Sequence, residues 1–273
     1  MTIAISVKVS EGLVLAADSA LVVQGEMKMG EGPLTQGVLQ VYSHAKKVAQ
    51  IKDCPVGTIT WGLGQIGQRT IESLVKEYAN SLPDGPEQQV REIADGLHSF
   101  IEEKYKAAFG KKGGHELGLQ VAGYSPGSFF PEQYVLSFPP SERGAVFEAR
   151  PNKRDGSPSF GANWYGLIDA VVRLILGFEP NALELLKASG VEGAIASKIR
   201  GFEYPIIFEA MPLQDAIDFA AWVAEVVIGR QRFVVGPAQV LGPVDVAIIT
   251  RHEGFTWVRE KRPQISTDNP ILK

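Results

Sequence analysis

The first eighteen residues constrain this chain more than any other stretch. Ile3, Ile5, Val7 and Val9 alternate with Ala4, Ser6 and Lys8, a period of two that marks a strand with one buried face. Ser10-Glu11-Gly12 supplies a turn, with glycine able to take the positive φ a tight hairpin needs. Leu13 to Ala17 is then continuously apolar, as a strand covered on both faces is. A hairpin therefore starts almost at the initiator methionine, with a hydroxyl residue, Thr2, at its head and a carboxylate, Asp18, at the end of its return strand. Chemistry at the amino terminus explains such an arrangement.

A threonine hydroxyl is a weak nucleophile until a base takes its proton. A free α-amino group, with an ordinary pKa of about 7.7–8.0, can be that base. Removal of Met1 gives one residue both roles, and Thr2 is small enough for ordinary methionine removal. A nearby ammonium favours the ionised hydroxyl, and Lys47, at the start of a strand, is the candidate. Buried, it needs a carboxylate partner, and Asp18 is available. Backbone N–H groups near Trp61 and Gly62 are candidates for an oxyanion hole, since glycine lets a substrate approach closely.

Further along, Gln24 to Gly37 lacks periodicity and reads as an inserted surface loop or extended hairpin. Strand patterns follow at Val38–Tyr42, Lys47–Ile51 and Gly57–Gly62. Two helical stripes come next, Ile71 to Leu82 and Val90 to Ala108, separated by Pro83-Asp84-Gly85-Pro86. Strands at Leu117–Tyr124, Gln133–Phe138 and Gly144–Glu148 lead to helices at Trp164–Leu176, Ala182–Ala188, Gly193–Arg200 and Leu213–Gly229. Strands at Val244–Thr250 and Phe255–Val258 finish the pattern, and residues 261–273 read as a weakly structured tail. Strands and helices in separate blocks argue for stacked α+β layers rather than a parallel βαβ sheet. No repeat or linker interrupts the chain, so residues 1–273 are expected to form one domain.

Other chemistries find little support. The four histidines and the single Cys54 have no metal-ligand spacing, so no metal and no cofactor are expected. There is no G-x-S-x-G motif. Gly62-Leu63-Gly64-Gln65-Ile66-Gly67 matches G-x-G-x-x-G, yet no βαβ unit follows it, so a tight turn with exposed N–H groups is the better reading. His98, within a helical stripe, reads as structural. A net charge of −4 without a basic run speaks against nucleic acid. A lone cysteine, no apolar run of membrane-spanning length and no signal-peptide pattern lead to an expected cytoplasmic location.

The segments MTIAISVKVSEGLVLAADSA, HAKKVAQI and GTITWGLGQIG resemble the start of a proteasome β-type subunit: an N-terminal Thr, a second strand ending in Asp, a Lys-Val strand, then a glycine-rich strand and turn. Gly242-Pro243-Val244-Asp245-Val246-Ala247 resembles the family's strand after the last long helix. Bacterial homologues of the heat-shock-locus peptidase and ancestral β-subunit types also start near Met-Thr. The resemblance implies a four-layer αββα sandwich of the N-terminal-nucleophile (Ntn) hydrolase kind, two antiparallel sheets flanked by helices. It matches Thr2 to the nucleophile, Asp18 to the family's Asp and Lys47 to its Lys, with Lys46 the alternative. Oxyanion donation falls on Trp61 or Gly62, and a mainly apolar substrate pocket on Leu21, Ala49, Ile59 and Leu63.

Several features depart from the family. The Asp18–Lys47 spacing is longer than usual. The assisting Ser of a Gly-Ser turn falls on Gly161-Ala162-Asn163, where Asn163 or Ser159 is the substitute. The family's later Asp and Ser fall near Pro237 to Leu241, which holds neither. The implied function is a threonine-type peptidase acting on peptides or proteins without a cofactor. The alternatives are a catalytically silent subunit and a small-amide amidohydrolase. The family's habit implies self-association into a ring or spiral; an ATPase or unfoldase partner is compatible with it but is not read from these residues.

Overall fold

The computed structural model describes residues 2–28, 34–83, 88–110, 114–190, 195, 198, 199 and 201–262. Its centre is the predicted hairpin, β1 (Ile3–Val9) and β2 (Gly12–Ala17), every residue of which is buried. The pairing Ala4↔Ala17 through Val9↔Gly12 fixes which side chains face which way. Ile3, Ile5, Val7, Val9, Val14 and Ala16 point into one core, while Ala4, Leu13, Leu15 and Ala17 point into another. Burial on both faces is what the unbroken apolar run of β2 requires. Each fully buried Ile, Val or Leu here is worth roughly 1.5–3 kcal/mol.

A long ribbon follows, β3 (Leu21–Lys28) paired with β4 (Leu34–Tyr42). This is the extended-hairpin form of the Gln24–Gly37 insertion, and it accounts for the long separation of Asp18 from Lys47. The chain continues through β5 (Val48–Gln50), β6 (Val56–Gly62) and a small ribbon of β7 (Gln65–Ile66) with β8 (Arg69–Thr70). Helices α1 (Ile71–Ser81) and α2 (Val90–Phe109) follow. Thr70 caps the first, accepting from the Ser73 N–H, and a capping box of Gln89 and Glu92 starts the second. Then come β9 (Leu117–Gly123), β10 (Glu132–Ser141), β11 (Gly144–Glu148) and β12 (Gly161–Gly166). Helices α3 (Asp169–Ile175), α4 (Pro180–Ala188) and α5 (Leu213–Gln231) come next. Strands β13 (Asp245–Thr250) and β14 (Gly254–Arg259) complete the fold.

Two five-stranded antiparallel sheets result, ordered β12-β1-β2-β13-β14 and β11-β10-β9-β6-β5. Between them lies a core that includes Leu13, Leu15, Ile59, Trp61, Val135 and Ile249. Helices α1 and α2 cover the outer face of the second sheet through Leu74, Val75, Ile93, Leu97 and Ile101. Helices α3 and α5 cover the first through Val171, Ile175, Ala220, Val223 and Val227. The architecture is the αββα sandwich. No described helix is long and apolar enough to cross a membrane.

The expected helix from Trp164 is corrected. Trp164 and Tyr165 lie in β12, paired with Ile5 and Ala4 of β1, and the helix begins only at Asp169. Aromatic residues suit strands, and the open edge of β1 supplies hydrogen bonds that a helix start there would forfeit. Most of the expected Gly193–Arg200 helix, the segment 84–87 and residues 263–273 lie outside the described residues.

Candidate active site

The hairpin register brings Thr2 and Asp18 together. Because Ala4 pairs with Ala17, Ile3 stands opposite Asp18. The Asp18 N–H donates to the Ile3 carbonyl at 3.1 Å, and the Ile3 N–H donates back to Asp18 Oδ1 at 3.0 Å. Asp18 is fully buried, and its second oxygen accepts from the N–H groups of Ala20 at 2.8 Å and Leu241 at 3.3 Å. A carboxylate taken out of water costs several kcal/mol unless donors surround it, and four surround this one.

The fourth donor is Lys47. Its Nζ lies 2.7 Å from Asp18 Oδ1 and 2.9 Å from Thr2 Oγ1, with Lys47 only 8% exposed. Two bonds bring it there from the other sheet. The Ala45 N–H donates to the Ser19 carbonyl at 2.9 Å, and the Thr60 N–H donates to the Lys47 carbonyl at 3.0 Å. Burial pushes the Lys47 ammonium below its ordinary pKa; Asp18 opposes that shift, and the positive charge of Lys261 adds to it. The neighbouring Lys46 is elsewhere, paired with Glu260 at 2.8 Å, which raises its pKa.

Thr2 is itself buried at 2% exposure, and its carbonyl accepts from the Leu167 N–H at 2.7 Å. Its side chain is at the wall of a cleft of about 230 Å³ that Lys47, Trp61 and Gly62 also line. The two oxyanion candidates separate by strand alternation. Thr60 points its N–H at the β5 edge and Leu63 points its N–H at Glu116 on the β9 side, so the Gly62 N–H faces the Lys47 edge and the Trp61 N–H does not. Gly62 has φ +82°, and a Cβ there would collide with the Glu116 carbonyl, so only glycine fits. Trp61 instead stacks on Tyr165, ring centroids 3.9 Å apart, joining the two sheets beside the site.

The expected apolar pocket is half present. Leu21 and Leu63 line the cleft. Ile59 is fully buried between the sheets, and Ala49 packs toward α1 and α2, so neither reaches it. The rest of the wall is more polar than expected, with His44, Lys46, Thr70 and Glu72.

The assisting-serine position is also corrected. Asn163 stands opposite Ser6, four residues along β1 from Thr2, and donates to Ser6 Oγ at 3.3 Å and Gln133 Oε1 at 3.1 Å in the interior. The glycine turn before α3 is Gly166-Leu167. Gly166 has φ +85° and packs so tightly on the Thr2 carbonyl that a Cβ has no room. Leu167 carries no hydroxyl, so this turn serves Thr2 through its backbone. The Pro237–Leu241 segment acts the same way: Leu241 gives its N–H to Asp18 and accepts at its carbonyl from the Ser19 N–H at 2.9 Å.

Three further residues, Ser19, Asp245 and Lys261, complete the site. Asp245, which opens β13, is 1% exposed, and Lys261, beyond β14, is 9% exposed. Lys261 Nζ is paired with Asp245 Oδ2 and donates to Ser19 Oγ at 2.8 Å, while the Ser19 hydroxyl donates to the Pro243 carbonyl. Lys261 stands in a stretch with few apolar residues, so only pairing across the fold shows it buried. Among the described residues, no group of three His, Cys, Asp or Glu side chains is placed to hold a metal. His98 is buried on α2 against the Phe138 ring.

Comparison with solved structures finds the same fold. A mutant of Anbu from Hyphomicrobium sp. strain MC1 is similar over 100% of this chain and 90% of its own, at 16% identity and TM-score 0.52. Anbu, the ancestral beta-subunit, from Yersinia bercovieri matches over 96% and 88%, at 15% identity and TM-score 0.51. The Pseudomonas aeruginosa Anbu complex, solved as a helical assembly, matches over 95% and 88%, at 13% identity and TM-score 0.54. No protein-family model matches the chain, and no curated protein matches it in sequence. The assignment to proteasome β-type subunits is therefore corrected: the structural neighbours are Anbu proteins, a related family, and no sequence-level match ties the chain to proteasome β subunits themselves. The chain has the Ntn-hydrolase fold of Anbu, the ancestral beta-subunit.

Proposed function

We propose that the chain is a threonine-type Ntn hydrolase that cleaves peptide bonds. The observation that carries this reading is the buried ammonium of Lys47, within hydrogen-bond distance of both Thr2 Oγ1 and Asp18 Oδ1 at the wall of an open cleft. Removal of Met1 frees the Thr2 amine. That amine takes the hydroxyl proton, directly or through water, while Lys47 donates to the developing alkoxide. Oγ1 attacks the scissile carbonyl, and the Gly62 N–H donates to the resulting oxyanion. Collapse expels the amine product, which takes its proton from the α-ammonium and leaves an ester on Thr2. The amine then deprotonates water, and hydroxide cleaves the ester.

The test is intact mass before and after treatment with an epoxyketone or β-lactone. Loss of Met1 and a single adduct mapped to Thr2 are expected. A chain that keeps Met1, or an adduct elsewhere, sinks the reading. Turnover of peptides against small amides then distinguishes a peptidase from a small-amide amidohydrolase.

A second reading, a silent subunit of the same fold, is favoured by one observation: the turn before α3 offers Leu167 where the resemblance implies an assisting hydroxyl. Retained Met1 in the mass measurement is its signature.

Self-association belongs to the proposal too. It is supported by the helical assembly of the Pseudomonas aeruginosa protein and by exposed Phe202, Tyr204, Ile207 and Phe233 on this chain. Light scattering at micromolar concentration tests it, and a monomer would refute it. The proposal takes the chain as one domain acting in the cytoplasm; a single cysteine, Cys54, which cannot form an intramolecular disulfide, supports that compartment.

A further inference from the structure

Behind the site lies a second buried lysine–aspartate pair that the proposed reaction does not use. Lys261 and Asp245 come from the far end of the chain, yet both are buried. Asp245 holds Lys261 twice: Oδ1 accepts its backbone N–H at 2.9 Å, and Oδ2 pairs with its Nζ. Burying two such charges is expensive, and replacing a pair of this kind with apolar side chains is often neutral or stabilising. That cation lies one hydrogen-bonded residue, Ser19, from the candidate site.

The connections run in two directions. Lys261 Nζ donates to Ser19 Oγ at 2.8 Å, and the Ser19 hydroxyl donates to the Pro243 carbonyl. The Ser19 N–H donates to the Leu241 carbonyl at 2.9 Å, and the Leu241 N–H donates to Asp18 Oδ2 at 3.3 Å. The Ser19 carbonyl accepts from Ala45, two residues before Lys47. Ser19 is thus the junction between the strand end that carries Asp18 and the segment that carries Lys47, and Lys261 grips its side chain.

We infer that Lys261, clamped by Asp245, is a positioning residue for the Asp18–Lys47 pair: through Ser19 it holds both partners in register, and it places a second positive charge behind Lys47. The inference rests on the hydrolase reading of Thr2. The charged and titratable groups around Lys47 are Asp18 at the end of β2, Lys261 and Glu260 beyond β14, Asp245 on β13, Lys46 and His44 beside it, Glu72 on α1, and the Thr2 amine once Met1 is removed. Among these, Lys261 opposes the protonated form of Lys47, and Asp245 is the anion that pairs with Lys261. Lys47 must be protonated to donate to Thr2, so reactivity falls as pH rises through its pKa. Removing the Lys261 charge makes Lys47 easier to keep protonated. Removing the Asp245 charge leaves the Lys261 charge uncompensated and makes it harder.

The experiment is the pH dependence of Thr2 acylation by a β-lactone, read by intact mass on the full-length chain. With Lys261→Met the basic limb moves up by about half a unit to one unit, and with Asp245→Asn it moves down by a similar amount. Lys261→Arg keeps the charge and leaves the limb near its wild-type position. A purely structural role predicts slower acylation with an unmoved limb, and three folded variants that all keep the wild-type limb would overturn the inference. If the single variants fail to fold, Lys261→Met combined with Asp245→Asn removes both charges and relieves the unpaired one. That double variant is expected to acylate about tenfold more slowly, within the range for lost positioning. Wild-type rate and limb in the double variant would equally overturn the inference. A wild-type chain that is never acylated fails differently: it removes the hydrolase reading, and this inference with it.

Discussion

The Lys47 ammonium sits 2.7 Å from Asp18 Oδ1 and so joins the end of one sheet's central hairpin to the edge of the other sheet. Both side chains are buried, so solvent screens the attraction between them little. The same ammonium reaches Thr2 Oγ1, which makes this ion pair the geometric basis of the proposed chemistry.

Breaking the pair leaves a buried charge uncompensated. Asp18→Asn is expected to cost about 3–5 kcal/mol in denaturant unfolding, a large fraction of a domain's stability. Lys47→Met removes the cation and leaves Asp18 with its three backbone donors, so it should cost less stability than Asp18→Asn. Its main effect falls on acylation of Thr2, slowed on the order of 10²–10⁴-fold in a single-turnover measurement. Equal stability losses for the two variants would contradict this account.

The pH profile follows from Lys47 as well. Its pKa is lowered, chiefly by burial. The basic limb of Thr2 labelling should therefore lie below 10.5, the ordinary lysine value. Stability responds with the opposite sign. Between the lowered pKa and 10.5 the unfolded chain binds more protons than the folded one, so this residue makes unfolding harder as pH rises through that window. Urea midpoints measured across the window, in wild type and Lys47→Met, isolate the contribution.

Gly166 is the tightest backbone constraint at the site. Its positive φ and its contact with the Thr2 carbonyl leave no space for a methyl group. Gly166→Ala should cost at least about 1–3 kcal/mol of backbone strain and shift Thr2 relative to Lys47. The expected readout is a lower thermal midpoint together with slower β-lactone labelling. Unchanged labelling in a folded variant would show that the turn does not position Thr2.

The cleft wall makes a prediction about selectivity. Leu21 lines the opening and Ile59 does not. Leu21→Ala should change preference among P1 side chains in a peptide library by up to about 10–200-fold for substrates that fill the vacated space. Ile59→Val should leave preference unaltered and cost only about 0.5–1.5 kcal/mol of stability. A shift in preference with Ile59→Val would mean that the wrong residues have been assigned to the wall.

Much of this fold was legible in order along the chain. Period-two alternation in β1 and the unbroken apolar run of β2 dictate a hairpin buried on both faces, because side-chain direction in a strand depends only on position parity. The same local logic placed α1, α2 and α5, whose apolar stripes follow the helical period. It also brought Thr2 and Asp18 together, since a tight turn sets the register between them. It failed at Trp164–Tyr165, where apolar and aromatic residues satisfy either period and the open edge of β1 decided the outcome. Everything that depends on pairing between sheets came from the tertiary structure alone. That includes the contact of Lys47 rather than Lys46 with Thr2, the direction of the Gly62 N–H rather than that of Trp61 toward the Lys47 edge, and the absence of Ala49 and Ile59 from the cleft wall. It includes above all the burial of Lys261 against Asp245 and Ser19, separated from Ser19 by 242 positions. Local periodicity reports which face of an element is apolar. It says nothing of which distant charge will be desolvated beside it, because that depends on partners brought close only when the sheets stack.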